Sequence, residues 1–302
     1  MFPQFLGIGA QKAGTTWLHA MLSMHEEIWL PHLKELHYFD RKFPIKLGSS
    51  TPFSKPGQGI LLRQFSARLR RIEASKLKER LSFRRWADLT WEIRYLFGAW
   101  NDVWYAALFN AARERLAGEI TPAYSCLGET GISHVHTLMP EAKLILLLRD
   151  PVDRAWSHAR MDLARANRRD ASSIGDMEYI AHFDSSASRT RGDYLGIIKR
   201  WRTCFPENQL FLGFFDEILA SPEDLLKRIL QFLGVSASDR NIPPTARTRV
   251  NPGPRTPIPS KLHRHLAALY IDDLQTLARQ YGTYPQLWLE HSAFVLDSAL
   301  IR

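Results

Sequence analysis

The stretch GIGAQKAGTTWLHAML, residues 7–22, decides the fold of this chain. It is a short apolar strand, a glycine-containing loop and a helix that begins with two threonines. A strand that runs through such a loop into a helix points backbone N–H groups at a ligand, because the first amides of a helix have no partner inside it. The sequence therefore predicts an anion site at residues 10–16.

The order of residues in this loop differs from that of the common nucleoside-triphosphate loop. In that loop a lysine stands directly before Ser or Thr, and the hydroxyl serves Mg²⁺. Here Lys12 precedes Gly14, and Thr15 and Thr16 follow the glycine. Gly14 lets the backbone approach closely, the threonines add hydroxyl donors, and Lys12 adds a full charge. A capped helix with a solvated lysine is the alternative interpretation.

Composition limits the class of protein. With 302 residues, 45% of them hydrophobic, the chain can bury a large core, and its net charge of +9 favours anionic partners. Two cysteines, Cys126 and Cys204, are too few for a disulfide framework and indicate a reducing compartment. No leader-like segment and no run of about 18 apolar residues is present, so we expect a cytoplasmic protein without a membrane span.

Apolar strands alternate with helical patterns along the chain. Strands are predicted within 4–10, 117–125, 142–151 and 209–218, and helices at 15–27 and 221–235. In the last helix Ser221 is the expected cap and Pro222 the first helical residue. This alternation predicts an α/β protein with a three-layer, P-loop-type fold, in which helices flank a central parallel sheet.

Two stretches interrupt the alternation. Residues 41–116 form a basic, aromatic insert, with ten Lys or Arg against four Asp or Glu between positions 63 and 94. The spacing of Phe65, Leu69 and Ile72 predicts an amphipathic helix there. Residues 245–259 are rich in proline and are predicted to form a surface loop.

A second charged motif, RDPVDRAWS, follows the apolar strand at 142–151. Arg149 falls at the end of that strand, where open α/β sheets bind ligands, and Ser157 follows eight residues later. The guanidinium and the hydroxyl are suited to a second phosphate. The alternative is a salt bridge from Arg149 to an aspartate, with Ser157 on a helix surface.

Four stretches together resemble the sulfotransferases that use 3′-phosphoadenylyl sulfate (PAPS). QKAGTTW at 11–17 is similar to their 5′-phosphosulfate loop, and RDPVDRAWS to their 3′-phosphate motif. KELHYF at 34–39 and GDYLGIIKRW at 192–201 are similar to segments of the carbohydrate and Golgi-type branch. The resemblance covers about residues 4–40 and 117–260. It implies a single sulfotransferase domain over residues 1–302, in which the insert at 41–116 caps the acceptor site.

The resemblance also implies a role for individual residues. Lys12 would stabilise the leaving phosphate, Glu35 would be the general base, and His37 would be a second candidate base or would orient the acceptor. Trp17 would stack on adenine and Tyr194 would reach donor or acceptor, with core packing as the alternative for both. The implied donor-binding residues are Gln11, Lys12, Ala13, Gly14, Thr15, Thr16, Trp17, Arg149, Ser157, Tyr194, Arg249 and Arg255, with Arg247 as a further candidate.

One position departs from the family pattern. In the polysaccharide-modifying relatives a lysine follows the glutamate of the strand before Thr-Pro, whereas this chain reads GEITPAY with Ile120 at that place. Glu119, Pro122 and Tyr124 fit the pattern. This substitution argues against direct transfer of a heparan-type acceptor and leaves the donor site unaffected.

PAPS is thus the expected sulfuryl donor and adenosine 3′,5′-bisphosphate (PAP) the product, with no metal and no nucleic acid involved. The acceptor can be a sugar, a lipid headgroup or a small metabolite, and the sequence does not decide between O- and N-sulfation or between a monomer and a homo-oligomer.

Two other functions are alternatives to a sulfotransferase. A P-loop kinase or NTPase would use Asp150 to hold Mg²⁺, and a non-catalytic protein would bind polyanions through residues 63–94.

Overall fold

The computed structural model describes residues 1–44, 83–167, 173–248, 250 and 256–298, with only the backbone at 83–89, 166 and 167. The predicted amphipathic helix around Phe65, Leu69 and Ile72 therefore lies outside the described residues. So do the candidate donor ligands Arg249 and Arg255.

A five-stranded parallel sheet forms the centre of the molecule, which confirms the predicted α/β fold. Its strand order is β2-β3-β1-β4-β5. The strands are β1 (Phe5–Gly9), β2 (Ile28–Trp29), β3 (Leu116–Ile120), β4 (Lys143–Leu148) and β5 (Leu210–Phe214). Phe5 pairs with Gly118 on one side and with Lys143 on the other, so β1 is the middle strand. The chain leaves β1 toward one edge and returns to the other side at β4. The carboxyl ends of β1 and β4 therefore form the switch point at which such sheets bind ligands.

Helices flank this sheet. They are α1 (Thr15–Ser23), α2 (Phe39–Lys42), α3 (Phe83–Phe97), α4 (Asp102–Ala107), α5 (Glu129–Leu138), α6 (Pro151–Asn167), α7 (Asp176–Asp184), α8 (Ser186–Gly192), α9 (Tyr194–Arg202), α10 (Phe215–Ala220), α11 (Pro222–Leu233), α12 (Ser260–Tyr281) and α13 (Thr283–Asp297). Short 3-10 turns occur at Asn110–Ala112, Pro122–Cys126, Glu207–Gln209, Asp239–Asn241 and Pro244–Arg247. No helix in these ranges combines the length and the apolar composition needed to cross a bilayer.

The sheet is buried on both faces, as the continuous apolar runs predict. Every residue of β1 is buried, and positions 144–148 of β4 are leucine or isoleucine with no solvent exposure. Both cysteines are free thiols, as predicted.

Several element boundaries differ from the expectation. Helix α1 ends at Ser23, four residues before Glu27, where the chain turns into β2. Strand β5 stops at Phe214, because Glu217 accepts a hydrogen bond from the Phe214 amide at 2.8 Å and starts α10. Ser221 precedes α11 as expected, but its side chain makes no capping hydrogen bond.

The tryptophans of the insert pack inside the protein where they are described. The Trp91 indole donates to the Leu108 carbonyl at 2.8 Å, and the Trp104 indole to the Arg94 carbonyl at 2.6 Å. Trp100 stacks on Trp104 with ring centroids 4.5 Å apart. This region adds an aromatic cluster to the main core.

Candidate active site

The predicted anion loop follows β1 and has an unusual backbone. Lys12 has a φ of 71° and Gly14 a φ of 91°, both in the left-handed region. A Cβ on Gly14 would meet the tip of the Ile218 side chain on α10, and the left-handed backbone at this position favours glycine in any case. A lysine in this conformation is held there by its surroundings, which is a feature of functional sites.

The Lys12 ammonium is not neutralised by a carboxylate in the part of the chain that the structure describes. Its recorded contact is with the Met161 sulfur at 3.7 Å. Burial lowers the Lys12 pKa, and the positive charges of Arg149 and Arg165 lower it further. The ammonium is thus surrounded by like charge, and an anion bound there would relieve this repulsion.

Arg149 lies beside the same loop, as its place at the end of β4 predicts. Its Nη1 donates to the Lys12 carbonyl at 3.3 Å, and its Nη2 pairs with Asp153 at 3.1 Å. The guanidinium carbon stands 4.7 Å from the centre of the Phe215 ring. Arg149 Nε is buried without a hydrogen-bond partner among the described residues. The salt bridge of the alternative interpretation is therefore present, and the Nε–H of Arg149 is left without a partner among the described residues.

Ser157 lies on α6 and is half-buried. Residues four apart share a face of a helix, so Ser157 is on the same face as Met161. Because Met161 contacts Lys12, this face of α6 is directed toward the loop. The structure therefore brings Lys12, Arg149 and the Ser157 face of α6 to one edge of the sheet.

Tyr194 and Trp17 are buried and tie other segments to this edge. The Tyr194 hydroxyl donates to the Arg149 carbonyl at 2.8 Å. The Trp17 indole donates to the Ala246 carbonyl at 2.8 Å and the side chain is 3% exposed. Both side chains have packing roles, and their contact with a nucleotide stays a prediction. The exposed side chain of Arg247 pairs with Glu223, and a contact of Arg247 with a nucleotide also stays a prediction.

Asp150, the residue that a kinase would use for Mg²⁺, has a structural partner. Its Oδ1 accepts a hydrogen bond from the Val152 amide at 2.9 Å at the start of α6. Burial raises the Asp150 pKa to about 7, and the nearby Asp153 adds to the shift. The Asp150 carboxyl group thus serves as the cap of α6.

A chain of alternating charges follows β2. Lys34 Nζ lies 2.5 Å from Glu35 Oε1, Glu35 Oε2 lies 3.4 Å from His37 Nε2, and His37 Nδ1 lies 2.8 Å from Asp40 Oδ2. The sequence indicated Glu35 and His37 as candidates but not Asp40. The acidic residue three positions after His37 was the available signal.

Glu35 and His37, the two central groups of this row of charges, are both ionised at neutral pH. Burial alone would raise the Glu35 pKa, but hydrogen bonds from His37 and Lys34 outweigh it and lower the pKa to about 2. Burial would lower the His37 pKa, but hydrogen bonds to Asp40 and Glu35 raise it to about 9. At neutral pH the pair is a carboxylate beside an imidazolium, so Glu35 alone of the two can accept a proton.

Backbone conformation marks the same residues. Among the described residues other than glycine, positive φ values occur at five positions, Lys12, Glu35, His37, Trp100 and Arg113. Three of these are the residues for which the sequence predicts a catalytic role. Such conformations persist only where the surroundings enforce them, and they concentrate at active sites.

A buried carboxyl group, that of Glu119 on β3, lies next to the segment at residues 34–40. It accepts hydrogen bonds from the hydroxyls of Tyr105, Thr121 and Tyr124, and the Tyr124 oxygen in turn accepts from the Tyr38 amide at 3.0 Å. Burial raises the Glu119 pKa to about 7. This network anchors the backbone next to His37. Ile120, at the place of the family's lysine, is 1% exposed and packs against Gly7 of β1.

Comparison with known proteins identifies the family. The model of the sulfotransferase family matches residues 3–239, and the chain belongs to this family. The human bifunctional heparan sulfate N-deacetylase/N-sulfotransferase 3 is 25% identical over 242 residues. That match covers 77% of this chain but 22% of the human protein, so the chain spans about a fifth of that relative.

Solved structures share the fold. A sulfotransferase from Alicyclobacillus acidocaldarius superposes with a TM-score of 0.62 at 23% identity, covering 95% of this chain and 99% of that one. The sulfotransferase domain from the curacin biosynthetic pathway gives a TM-score of 0.51 at 15% identity, covering 89% and 98%. Both have the α/β architecture described above.

Proposed function

We propose that this protein is a PAPS-dependent sulfotransferase that moves a sulfuryl group to an acceptor hydroxyl or amine. The observation that carries the proposal is the meeting of Lys12 and Arg149 at the carboxyl ends of the neighbouring strands β1 and β4. Two cations at the switch point, one of them without a carboxylate partner among the described residues, suit a ligand with two separated phosphates.

Unused polar atoms in the loop fit such a ligand. Gln11 Oε1 and Arg149 Nε are both buried without hydrogen-bond partners among the described residues. Buried polar groups are normally paired, so both atoms are available to a bound ligand. A phosphate can accept from the guanidinium, and a ribose or adenine group can donate to the amide oxygen.

For this reaction the protein must align the donor with the acceptor and stabilise the charge on the leaving phosphate. The bond between sulfur and the bridging phosphate oxygen breaks, a bond from the acceptor oxygen or nitrogen to sulfur forms, and the acceptor loses a proton. Lys12 would stabilise the negative charge that develops on the departing phosphate of the donor. Glu35 would accept the proton, and no metal ion is required by this scheme.

Lys34 and His37 would hold Glu35 in place and keep it ionised. A carboxylate with a pKa of about 2 is a weak base, so the ion pairs must loosen as the acceptor binds or the proton must leave late. The acceptor becomes strongly acidic once its bond to sulfur forms, and a late transfer is sufficient. We assign the whole described chain to one catalytic domain and expect the insert at 41–116 to lie over the acceptor.

Calorimetric titration tests the donor site without knowledge of the acceptor. We expect adenosine 3′,5′-bisphosphate to bind without metal and more tightly than ATP-Mg²⁺, and Lys12→Ala to weaken this binding. Lys227→Ala is the matched control, because Lys227 is an exposed lysine that pairs with Asp239 on the surface. Its affinity for the bisphosphate should equal that of the wild type.

Preference for ATP-Mg²⁺ would favour a kinase and contradict the proposal. Equal weakening by both lysine variants would show a general charge effect instead of a site at the loop. If neither nucleotide binds, the polyanion-binding alternative is the one to pursue, and its steep salt dependence would identify it.

A further inference from the structure

Away from the donor loop, three potential metal ligands converge between α6 and α7. His158 and Asp162 lie four residues apart on α6, and His182 comes from α7. One ligand atom from each lies within 4.8 Å of the other two. His182 Nε2 is 3.2 Å from Asp162 Oδ2, and the two imidazole rings have centroids 5.1 Å apart.

The spacing of these atoms is close to that of a tetrahedral site. Zinc binds imidazole nitrogen and carboxylate oxygen at about 2.0–2.2 Å, which places neighbouring ligands about 3.3–3.5 Å apart. The contact between His182 and Asp162 already has this separation. The ligand atom of His158 lies within 4.8 Å of both.

Unpaired nitrogen atoms point to a missing partner. His158 is 4% exposed and His182 has a side-chain exposure of 11%, yet the Nδ1 atoms of both are buried without a hydrogen-bond partner in the described part of the chain. Leaving an imidazole nitrogen unused inside a protein is unfavourable, and His158 has such a nitrogen available to an ion, whereas His182 would bind the ion through Nε2, the nitrogen that faces Asp162. Asp162, with 54% of its side chain exposed, opens the cluster to solvent and gives an ion a route of entry.

Neighbouring charges restrict the kind of ion. The positive charges of Arg191 and Arg154 act on His158, and the Asp162 carboxylate opposes them. Hard ions such as Mg²⁺ and Ca²⁺ need several oxygen ligands, which this cluster lacks. Two imidazoles and one carboxylate suit Zn²⁺, with water in the fourth position.

We propose that His158, Asp162 and His182 form a zinc site that fastens α6 to α7. Its location gives it a consequence for the donor loop. His158 and Asp162 directly follow Ser157 and Met161, which lie on the face of α6 turned toward Lys12. An ion that holds His158 and Asp162 in place therefore also fixes the orientation of Ser157 and Met161.

The test measures zinc binding to the untagged full-length chain after removal of metal with a chelator. A chromophoric chelator that competes for Zn²⁺ gives the affinity, and Co²⁺ gives the geometry through its absorption spectrum. We expect one equivalent of Zn²⁺ with a Kd on the order of micromolar, a tetrahedral Co²⁺ spectrum and a higher Tm with zinc.

Two near-isosteric variants identify the site. Asp162→Asn and His182→Gln should each weaken Zn²⁺ binding at least tenfold and remove the rise in Tm. His265→Gln is the matched control, because His265 also pairs with an aspartate of α7, Asp184, at 2.8 Å but belongs to no three-ligand set among the residues that the structure describes. It should bind zinc as the wild type does.

Three results would overturn the proposal. The first is no zinc binding by the wild-type chain. The second is equal zinc affinity in the wild type, Asp162→Asn and His182→Gln, which would place the ion elsewhere. The third is a loss in His265→Gln as large as that in the two site variants, which would indicate unspecific binding by surface histidines.

Discussion

The loop at residues 10–16 and the segment at residues 34–40 differ in how their charges are paired. We call them the donor loop and the acceptor-side segment, after the roles that we propose for them. At the loop, Lys12 contacts a sulfur atom and is surrounded by the positive charges of Arg149 and Arg165. In the segment at 34–40, every central charge has an opposite charge within 3.4 Å. Among the described residues the first region has an excess of positive charge, and the second is balanced before any ligand arrives. The difference suggests that the donor site is made for tight binding of an anion and the acceptor side for holding one carboxylate in position.

Replacing Glu35 with glutamine should separate the two regions most clearly. Loss of the general base is expected to lower turnover by roughly 10²–10⁴-fold, while binding of adenosine 3′,5′-bisphosphate stays unchanged. The measurements are sulfate transfer from PAPS to a panel of sugar, lipid and small-molecule acceptors, and calorimetry for the bisphosphate. Glu207→Gln, at an exposed glutamate paired with Arg202, is the control. A parallel loss of bisphosphate affinity would mean that the two regions are not independent.

A methyl group at Gly14 should damage the donor loop in the absence of any ligand. The positive φ and the 2.4 Å approach to Ile218 together predict a loss of about 1–3 kcal/mol in the free energy of unfolding for Gly14→Ala. Urea unfolding measures it. Gly128→Ala is the matched control, since Gly128 has a φ of −78° and nothing within 4 Å of an added Cβ. Equal losses in the two variants would remove the argument that the loop is sterically fixed.

Ser157→Ala should affect the donor side less than Glu35→Gln affects turnover. A hydrogen bond from a hydroxyl to a charged phosphate contributes about 1.5–3 kcal/mol, so bisphosphate affinity should fall by roughly 10- to 150-fold. Stability should hardly change, because the side chain is only half-buried. Ser133→Ala, on the exposed side of α5, should leave the affinity unaltered. An unchanged affinity in Ser157→Ala would restrict the donor site to the loop and Arg149.

The charge chain should make stability depend on pH. His37, with its pKa raised to about 9 from 6.5, stabilises the fold fully below pH 6.5 and loses this contribution as pH rises through 9. Glu35, with its pKa lowered to about 2 from 4.5, contributes fully above pH 4.5 and loses its contribution as pH falls through 2. The difference in Tm between wild type and His37→Gln should therefore be largest at about pH 4.5–6.5 and shrink toward pH 9.

A second variant checks the cause of this profile. Asp40→Asn removes the stronger partner of the imidazolium, so the decline in stability should begin at lower pH than in the wild type. If Asp40→Asn and wild type decline over the same pH range, the raised His37 pKa has another origin.

The sequence predicted the donor side better than the acceptor side, for a physical reason. The loop, β1, β4 and Arg149 follow from short-range patterns, because a buried parallel strand needs a continuous apolar run and a phosphate loop needs its glycine. The partners of Glu35 and Glu119 depend on long-range contacts. Tyr105 reaches Glu119 from α4, and no local pattern connects these two residues. Likewise His182 joins His158 only because α7 packs on α6.

The position of β1 in the middle of the sheet has a consequence for local unfolding. Its backbone amides are protected by strands on both sides, so they can exchange with solvent only when most of the sheet opens. The charged segment at 34–40 instead follows β2, a two-residue strand at the edge of the sheet. The loop at 10–16 is therefore held by strands on both sides, whereas the segment at 34–40 is held by side-chain contacts such as that of the Tyr38 amide with Tyr124.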